Sequence, residues 1–285
     1  MRRGEVSSLI SLLDDSDSEI ALTAMNRLCA KGEVVIPELE RAWQECIEEL
    51  LLVRIEQVIA QIRSNATLQK LKEWVDVGAE DLFHGACYMA KLLHGSIACE
   101  PLEQTLDGIC RAIWVEFNSY LTALEKVNII NHILFNAYRF RNNGAQPDST
   151  PDLFLIDSLL QSKVGNSVAL STLYLCIAER LKLPIKGLDM PCGIMLAYLD
   201  EYADDGQSLF YIYPFFRGQV LGKEEVELIV NRNRIASDDQ HHYLRTCSNR
   251  QYVCKLAETL RDAFSHAGQL ELVERMNAAI KILES

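Results

Sequence analysis

Residues 167–181 form a segment that is apolar on nearly every face of a helix, and this segment constrains the fold more than any other. Its apolar residues leave no polar stripe: Val168, Ala169, Leu170, Leu173, Leu175, Cys176, Ile177, Ala178 and Leu181. A helix that is hydrophobic all round has to be covered by other elements, so we expect it in the centre of a core. The sequence "SKVGNSVALSTLYLCIAERLKLPIKGLDMP" places a glycine turn before this helix and a strand after it.

The hydrophobic period changes from helical to alternating after Pro184. The segments "PIKGLDMP", "GIMLAYLDEY" and "SLFYIYPF" therefore predict strands, the last two of them joined by the turn "ADDG". Before the loop "RNNGAQPDSTPD", apolar residues recur at intervals of three and four, which predicts amphipathic helices. The tail predicts a helical hairpin around "HAGQ". The fold class is α+β.

Three parts follow from these patterns. Residues 1–66 alternate acidic turns with paired helices and are similar to HEAT-type repeats, with an ordinary helical hairpin as the alternative. Residues 67–235 hold the central helix, its preceding helices and a small antiparallel sheet. Residues 236–285 form the C-terminal hairpin, which is similar to a single tetratricopeptide-like repeat; a solenoid would need about three repeats.

The charge balance excludes several classes of partner. The formal net charge is −12, from 28 basic and 40 acidic residues, which argues against nucleic acid and against an anionic membrane surface. No apolar run approaches the ~20 residues of a membrane span. Acidic residues follow the first apolar run without a small-residue cleavage site, so no signal peptide is expected. The oligomeric state is left open.

Nine cysteines are present, an odd number, and no pair has the spacing CxxC. Most of them lie in apolar helical patterns, where free cysteine acts as a small hydrophobic side chain. We therefore expect a reducing, cytoplasmic setting with no disulfide framework and no zinc site. The sequence has no HExxH pattern, phosphate-binding loop or GxGxxG motif, so no metal and no cofactor is expected.

Three stretches together resemble a bacterial transglutaminase-like family of the SirB type: "LEKVNIINHILFNAYRF", "LIDSLLQSKVGNSVALSTLYLCIAERLKLPIKGLDMP" and "LFYIYPFFRGQVL". The resemblance covers residues ~110 to 285. It implies a papain-like transglutaminase core, in which a cysteine at the start of the central helix is the nucleophile. A histidine on the next strand would be its base, and an aspartate on the following strand would orient that histidine.

This chain departs from the family pattern at all three catalytic positions, which fall on Ser167, Gly193 and Tyr213. The resemblance thus implies the fold without its chemistry. Asn166 and Ser167 are typical helix N-caps, and we expect Ser167 to cap the central helix. The predicted function is that of a catalytically inactive, cytoplasmic protein-interaction or regulatory module. Its helical ends would bind one or more protein partners.

Two alternatives remain open from the sequence. One is a cysteine-dependent hydrolase or acyltransferase with a relocated site, formed by Cys192 as nucleophile and His132 as base. The other is a small-molecule sensor that uses the former catalytic cleft. The candidate residues of that cleft are Asn166, Ser167, Cys192, Tyr213 and Phe215. The Tyr213 ring would either fill the cleft, offer a stacking surface or pack as ordinary core.

Overall fold

The fold is dominated by helices that surround one small antiparallel sheet, as the α+β prediction requires. A computed structural model describes residues 3–144, 150–188, 195–200, 207–232 and 244–285. Its helices are α1 (Arg3–Leu12), α2 (Ser18–Lys31), α3 (Ile36–Glu45), α4 (Glu49–Asp76), α5 (Leu82–His94), α6 (Cys99–Glu116), α7 (Ala123–Asn131), α8 (Ile156–Ser162), α9 (Ser167–Arg180), α10 (Lys223–Arg232), α11 (Asn249–His266) and α12 (Leu270–Glu284). Short 3₁₀ or π turns occur at Gly32–Val35, His132–Ala137, Pro151–Phe154 and Pro214–Phe216.

The strands form two sheets. A parallel pair joins β1 (Arg141–Asn142) to β2 (Val164–Gly165), and the antiparallel sheet has the order β3 (Ile185–Gly187), β4 (Leu196–Leu199), β5 (Ser208–Tyr213) and β6 (Gln219–Leu221). The three strands predicted after Pro184 are confirmed as β3, β4 and β5. The sequence did not indicate β6, because three residues are too few to establish an alternating pattern.

The predicted central helix is confirmed as α9. Every side chain from Val168 to Ala178 is buried, and α5, α6, α8 and β3 pack against it. The hydroxyl of Tyr252, on α11, lies 3.1 Å from the Thr172 hydroxyl oxygen and donates to the Val168 carbonyl at 3.3 Å. The C-terminal hairpin therefore closes one side of α9, and its tetratricopeptide-like character stays a prediction.

The N-terminal helices have a hydrophobic core of their own. Its buried members on α4 are Ile55, Val58 and Ile62, whereas Leu71 and Trp74, further along the same helix, belong to the main core. The predicted division after residue 66 falls inside this continuous helix, so the division and the HEAT-like character stay predictions. Within the described part of the chain, no helix combines the length and apolarity that crossing a bilayer requires.

A disulfide joins Cys87 on α5 to Cys99 at the start of α6. The prediction that the chain lacks a disulfide is therefore wrong. The two cysteines are 12 residues apart, and they meet only because the chain reverses at Gly95 between the two helices. Sequence spacing did not reveal this pairing, since it depends on the geometry of that turn.

Candidate functional site

The start of α9 is held by Asn166 and not by Ser167. Asn166 is buried, and its Oδ1 accepts hydrogen bonds from the backbone N–H groups of Val168 at 3.0 Å and Ala169 at 3.1 Å. Ser167 is the first residue of the helix and is half-buried. The expectation that Ser167 caps the helix is wrong in this respect, because the chain enters the helix one residue earlier. The amide of Asn166 thus occupies the N–H groups that would otherwise face a ligand or a thiolate.

Tyr213 ends β5 and is half-buried within a group of aromatic rings. Its ring centroid lies 5.1 Å from that of Phe216 and 6.3 Å from that of Phe215. The Phe215 carbonyl accepts a hydrogen bond from Asn142 Nδ2 at 2.9 Å, and the turn Pro214–Phe216 packs against α9. Phe216 remains exposed, so these rings are partly open to solvent.

The other two positions of the predicted site cannot be placed in this arrangement. Cys192 and Gly193 lie outside the residues that the structure describes. The role of Cys192 as a nucleophile therefore stays a prediction. So does the assignment of Gly193 to the position where the family pattern has a catalytic histidine.

The histidines within the described ranges all have hydrogen-bond partners away from Ser167. His132, the candidate base, is exposed on the π turn after α7, and its Nδ1 lies 3.1 Å from Asn136 Nδ2. His84 bonds to Asp81, His94 to two aspartates, and His266 to a backbone carbonyl of its own helix. None of these side chains bonds to the Ser167 hydroxyl as a general base would.

Burial keeps several described thiols in the protonated form. It raises the pKa of Cys110 and that of Cys247 to about 11, and it raises the pKa of Cys176 well above the usual range. Burial raises the pKa of Cys29 and of Cys254 as well. Since the thiolate is the nucleophile, these thiols are poorly suited to catalysis near neutral pH.

Two groups of side chains could each hold a metal ion. In each group, three potential ligand atoms lie within 4.8 Å of one another. In the first, His84 Nδ1 lies 3.0 Å from Asp81 Oδ2, and Glu103 accepts a hydrogen bond from Arg180 at 3.1 Å. The guanidinium beside Glu103 opposes the binding of a cation there. The second group is Cys254, Glu258 and Glu284. Sequence spacing indicated neither group, because each draws on more than one helix.

A polar link that the sequence did not indicate joins the three stretches that resemble the family. Asn131 Nδ2 donates to the Gly218 carbonyl at 2.7 Å, and Asn131 Oδ1 accepts from the hydroxyl of buried Tyr174 at 3.2 Å. Asn131 ends α7, Tyr174 lies on α9 and Gly218 precedes β6. Burial raises the pKa of Tyr174, so its hydroxyl remains a hydrogen-bond donor. This link fixes the turn after the Tyr213 aromatic group onto the central helix.

Comparison with known families agrees with this architecture. The family model described as "Transglutaminase-like superfamily" matches residues 100–258, which is more than half of the chain. The matched range includes α9, the antiparallel sheet and the link through Asn131. The chain therefore belongs to the transglutaminase-like superfamily.

Relatives of known name are similar to the chain at low identity. UPF0162 protein YchA of Escherichia coli (strain K12) is 26% identical over 203 residues, which covers 67% of this chain and 73% of that protein. Protein SirB1 of Salmonella typhimurium is 26% identical over 134 residues, covering 45% of this chain and 46% of SirB1. F-box only protein 21 of Mus musculus is 23% identical over 114 residues, and the match spans 39% of this chain but only 18% of that protein. No solved structure shows significant similarity to the chain.

Proposed function

We propose that the protein is a catalytically inactive transglutaminase-like protein that acts as a protein-interaction or regulatory module. The observation that carries this proposal is the start of α9, where the family pattern has a nucleophilic cysteine. Ser167 takes that position, and the Asn166 side chain accepts the N–H groups of Val168 and Ala169. A thiolate at this position would have been stabilised by those groups.

The surrounding chemistry supports inactivity. A serine hydroxyl is not ionised at neutral pH and requires an adjacent base to attack a substrate. Among the described residues, each histidine side chain is hydrogen-bonded elsewhere. Tyr213 lies where an orienting aspartate would be expected, and a phenol does not carry the negative charge that holds an imidazolium.

An interaction role is supported by apolar side chains that the N-terminal helices leave exposed. Ile47, in the link before α4, is 95% exposed, and Leu50 and Val53 follow at intervals of three residues. Leu50 and Val53, three residues apart, lie on the same side of the start of α4, and Ile47 precedes that helix. Exposed apolar residues beside charged ones are typical of protein-binding surfaces, and Glu48 and Glu49 lie between Ile47 and Leu50 in the chain.

Inactivity is tested by comparing the wild-type chain with Ser167→Ala. The assay measures incorporation of a fluorescent amine into a glutamine-containing protein, together with hydrolysis of a fluorogenic peptide. We expect both proteins to give the same background rate. A rate in the wild type that falls by about tenfold or more in Ser167→Ala contradicts the proposal, because the hydroxyl would then contribute to a transition state.

The interaction role is tested with the full chain immobilised and incubated with lysate from its source. We expect a specific partner to be captured by the wild type and lost with Ile47→Glu combined with Leu50→Glu. Tyr120→Glu is the matched control, since Tyr120 is 92% exposed and lies between α6 and α7, about 70 residues along the chain from Leu50. Equal capture by all three proteins contradicts a role for the start of α4.

We propose a cytoplasmic location from the sequence alone, because most of the nine cysteines lie in apolar helical patterns, where free cysteine acts as a small hydrophobic side chain; the disulfide argues the other way. A disulfide between Cys87 and Cys99 is more typical of oxidising compartments than of the cytoplasm. Fractionation of source cells, with alkylation of free thiols before lysis, measures both the compartment of the protein and the oxidation state of Cys87 and Cys99. We expect the protein in the cytoplasmic fraction, and recovery from an oxidising compartment contradicts this part of the proposal.

A further inference from the structure

A cavity of about 510 Å³ lies between the N-terminal helices and the main core. Its walls come from α3, α4, the end of α5 with the following turn, and α12, and none of its lining residues belongs to α9 or to the strands. Binding sites for small molecules typically measure ~300–1,000 Å³. The cavity therefore has the size of a ligand site, and neither Ser167 nor Tyr213 lines it.

The cavity is lined by several cationic side chains, although the protein as a whole is acidic. Arg63, Lys91 and Arg275 line it together with two carboxylates, Glu40 and Glu56, against a net charge of −12 for the whole chain. Glu40 lies 2.9 Å from Arg63, and Glu56 accepts a hydrogen bond from the Trp43 indole at 2.9 Å. Both carboxylates thus have partners within the wall, which leaves Lys91 as the lining cation without an ion pair to a described residue.

Two polar atoms of lining residues are buried without a hydrogen-bond partner among the described residues. They are the Ser64 hydroxyl oxygen and Arg275 Nε. Ser64 is 3% exposed, and its hydroxyl does not bond back to the carbonyl four residues earlier, as helical serines commonly do. The Arg275 guanidinium bonds to Glu271 and to the Leu92 carbonyl through its terminal nitrogens only. Both atoms are donors that an anionic acceptor would satisfy.

Part of the remaining wall is apolar and includes one large aromatic surface. Trp43 lines the cavity together with Ile59, Ala60, Leu92 and Leu93. The segment that contributes Leu92 and Leu93 lies between Cys87 and Cys99, so the disulfide limits its movement. A wall held in place in this way loses little freedom when a ligand binds.

We propose that this cavity binds a small organic anion. The anionic group is held by Lys91, the lining cation without an ion pair to a described residue, and by the Ser64 hydroxyl and Arg275 Nε, while a flat apolar body packs against Trp43. This inference does not depend on the proposed function, since it uses none of the positions at the start of α9. It adds a small-molecule site at the junction between the N-terminal helices, which carry the exposed apolar surface, and the transglutaminase-like core.

The proposal is tested with 2-naphthoate as the probe, using isothermal titration calorimetry and ligand-observed NMR on the full chain. The amine 2-naphthylmethylamine, which has the same ring and the opposite charge, is the matched ligand control. We expect saturable binding of one naphthoate per chain, and affinity for the amine that is lower by about tenfold or more. A single charge-assisted hydrogen bond accounts for a difference of that size.

Substitutions then locate the site. Ser64→Ala and Arg275→Gln are each expected to weaken naphthoate binding by about tenfold, and Trp43→Ala to weaken naphthoate and amine alike. Arg111→Gln, at an exposed position on α6 outside the cavity, is the control and is expected to bind as the wild type does. Trp43 is 42% exposed, so its replacement reports on binding even if Arg275→Gln unfolds the chain.

Three outcomes overturn the proposal. The first is the absence of saturable naphthoate binding by both methods. The second is equal affinity for naphthoate and the amine. The third is equal loss of binding in Arg111→Gln and in the cavity variants, which would place the bound anion elsewhere on the surface. None of these outcomes bears on the amine-incorporation assay, so failure here is distinguishable from failure of the proposed function.

Discussion

Replacing Gly218 with alanine is expected to destabilise the protein because two costs coincide at this position. Gly218 has a φ of +71°, a backbone conformation that residues with a Cβ rarely adopt. A Cβ placed there would lie 1.8 Å from Asn131 Oδ1 and 2.3 Å from Asn131 Cγ. The Asn131 side chain would have to leave the position in which it links Gly218 to Tyr174.

The expected magnitude follows from these contacts. Left-handed backbone costs a non-glycine residue about 1 kcal/mol or slightly more. Displacing Asn131 breaks its hydrogen bonds to the Gly218 carbonyl and from the buried Tyr174 hydroxyl, each of which contributes about 1 kcal/mol. The free energy of unfolding should therefore fall by about 3 kcal/mol.

Urea unfolding followed by circular dichroism measures this change. We expect the midpoint of Gly218→Ala to move to lower urea with an unchanged slope, since the surface exposed on unfolding stays the same. Gly108→Ala is the matched control. Gly108 lies inside α6, and a Cβ there meets open space, so alanine should stabilise the helix by up to about 1 kcal/mol.

A double-mutant cycle with Asn131→Ala separates the two costs. In that background the clash and the two hydrogen bonds are already absent, so Gly218→Ala should cost only about 1 kcal/mol of backbone strain. An equal loss of stability in both backgrounds would refute the reasoning, because Asn131 would then have no part in the effect.

Three further predictions concern other parts of the chain. Cys99→Ser should lower the free energy of unfolding by about 3 kcal/mol, and adding a reductant to the wild type should reproduce that loss, because the 12-residue loop is no longer closed. Burial lowers the pKa of His94, but the carboxylates beside it, above all Asp157, raise that pKa further, to a net increase. Protonated His94 should therefore stabilise the fold fully at a pH below its unfolded pKa of ~6.5. This contribution should be lost as the pH rises through the higher pKa of the folded state. Unfolding curves across this range should show that His94→Gln removes this pH dependence of the free energy of unfolding. Asn166→Ala should cost about 1–2 kcal/mol as a lost helix cap, whereas Ser167→Ala should change stability by less than about 0.5 kcal/mol; equal costs in the thermal unfolding of the two variants would contradict the assignment of the cap.

Much of the architecture could be predicted because it depends on local patterns. The apolar run from Val168 to Ala178 predicted a buried helix, and the change of period after Pro184 predicted β3, β4 and β5. The helical hairpin at the C-terminus followed from its amphipathic spacing. A side-chain period is a property of a single segment, so one sequence is sufficient to detect it.

The candidate site could be predicted only in part. That Ser167 and Tyr213 stand at the nucleophile and orienting positions is a prediction from the resemblance to the family. The residue that caps α9 could not be predicted, because Asn166 and Ser167 are both good N-caps and the choice depends on where the chain leaves β2. His132 lies in an apolar sequence pattern yet is exposed, because it follows exposed Asn128 by four residues on the outer face of the same helical turns.

Local patterns in the sequence were enough to predict the buried helix α9, the strands β3, β4 and β5, the C-terminal helical hairpin and membership of the transglutaminase-like superfamily. Three features depend on contacts between distant parts of the chain: the pairing of Cys87 with Cys99, the link from Asn131 to Tyr174 and Gly218, and the charged cavity beside Trp43. Each of these joins residues from separate elements, and their meeting depends on how helices cross and where turns reverse. Periodicity records which face of an element is buried, but it carries no information about which distant residue will lie against that face.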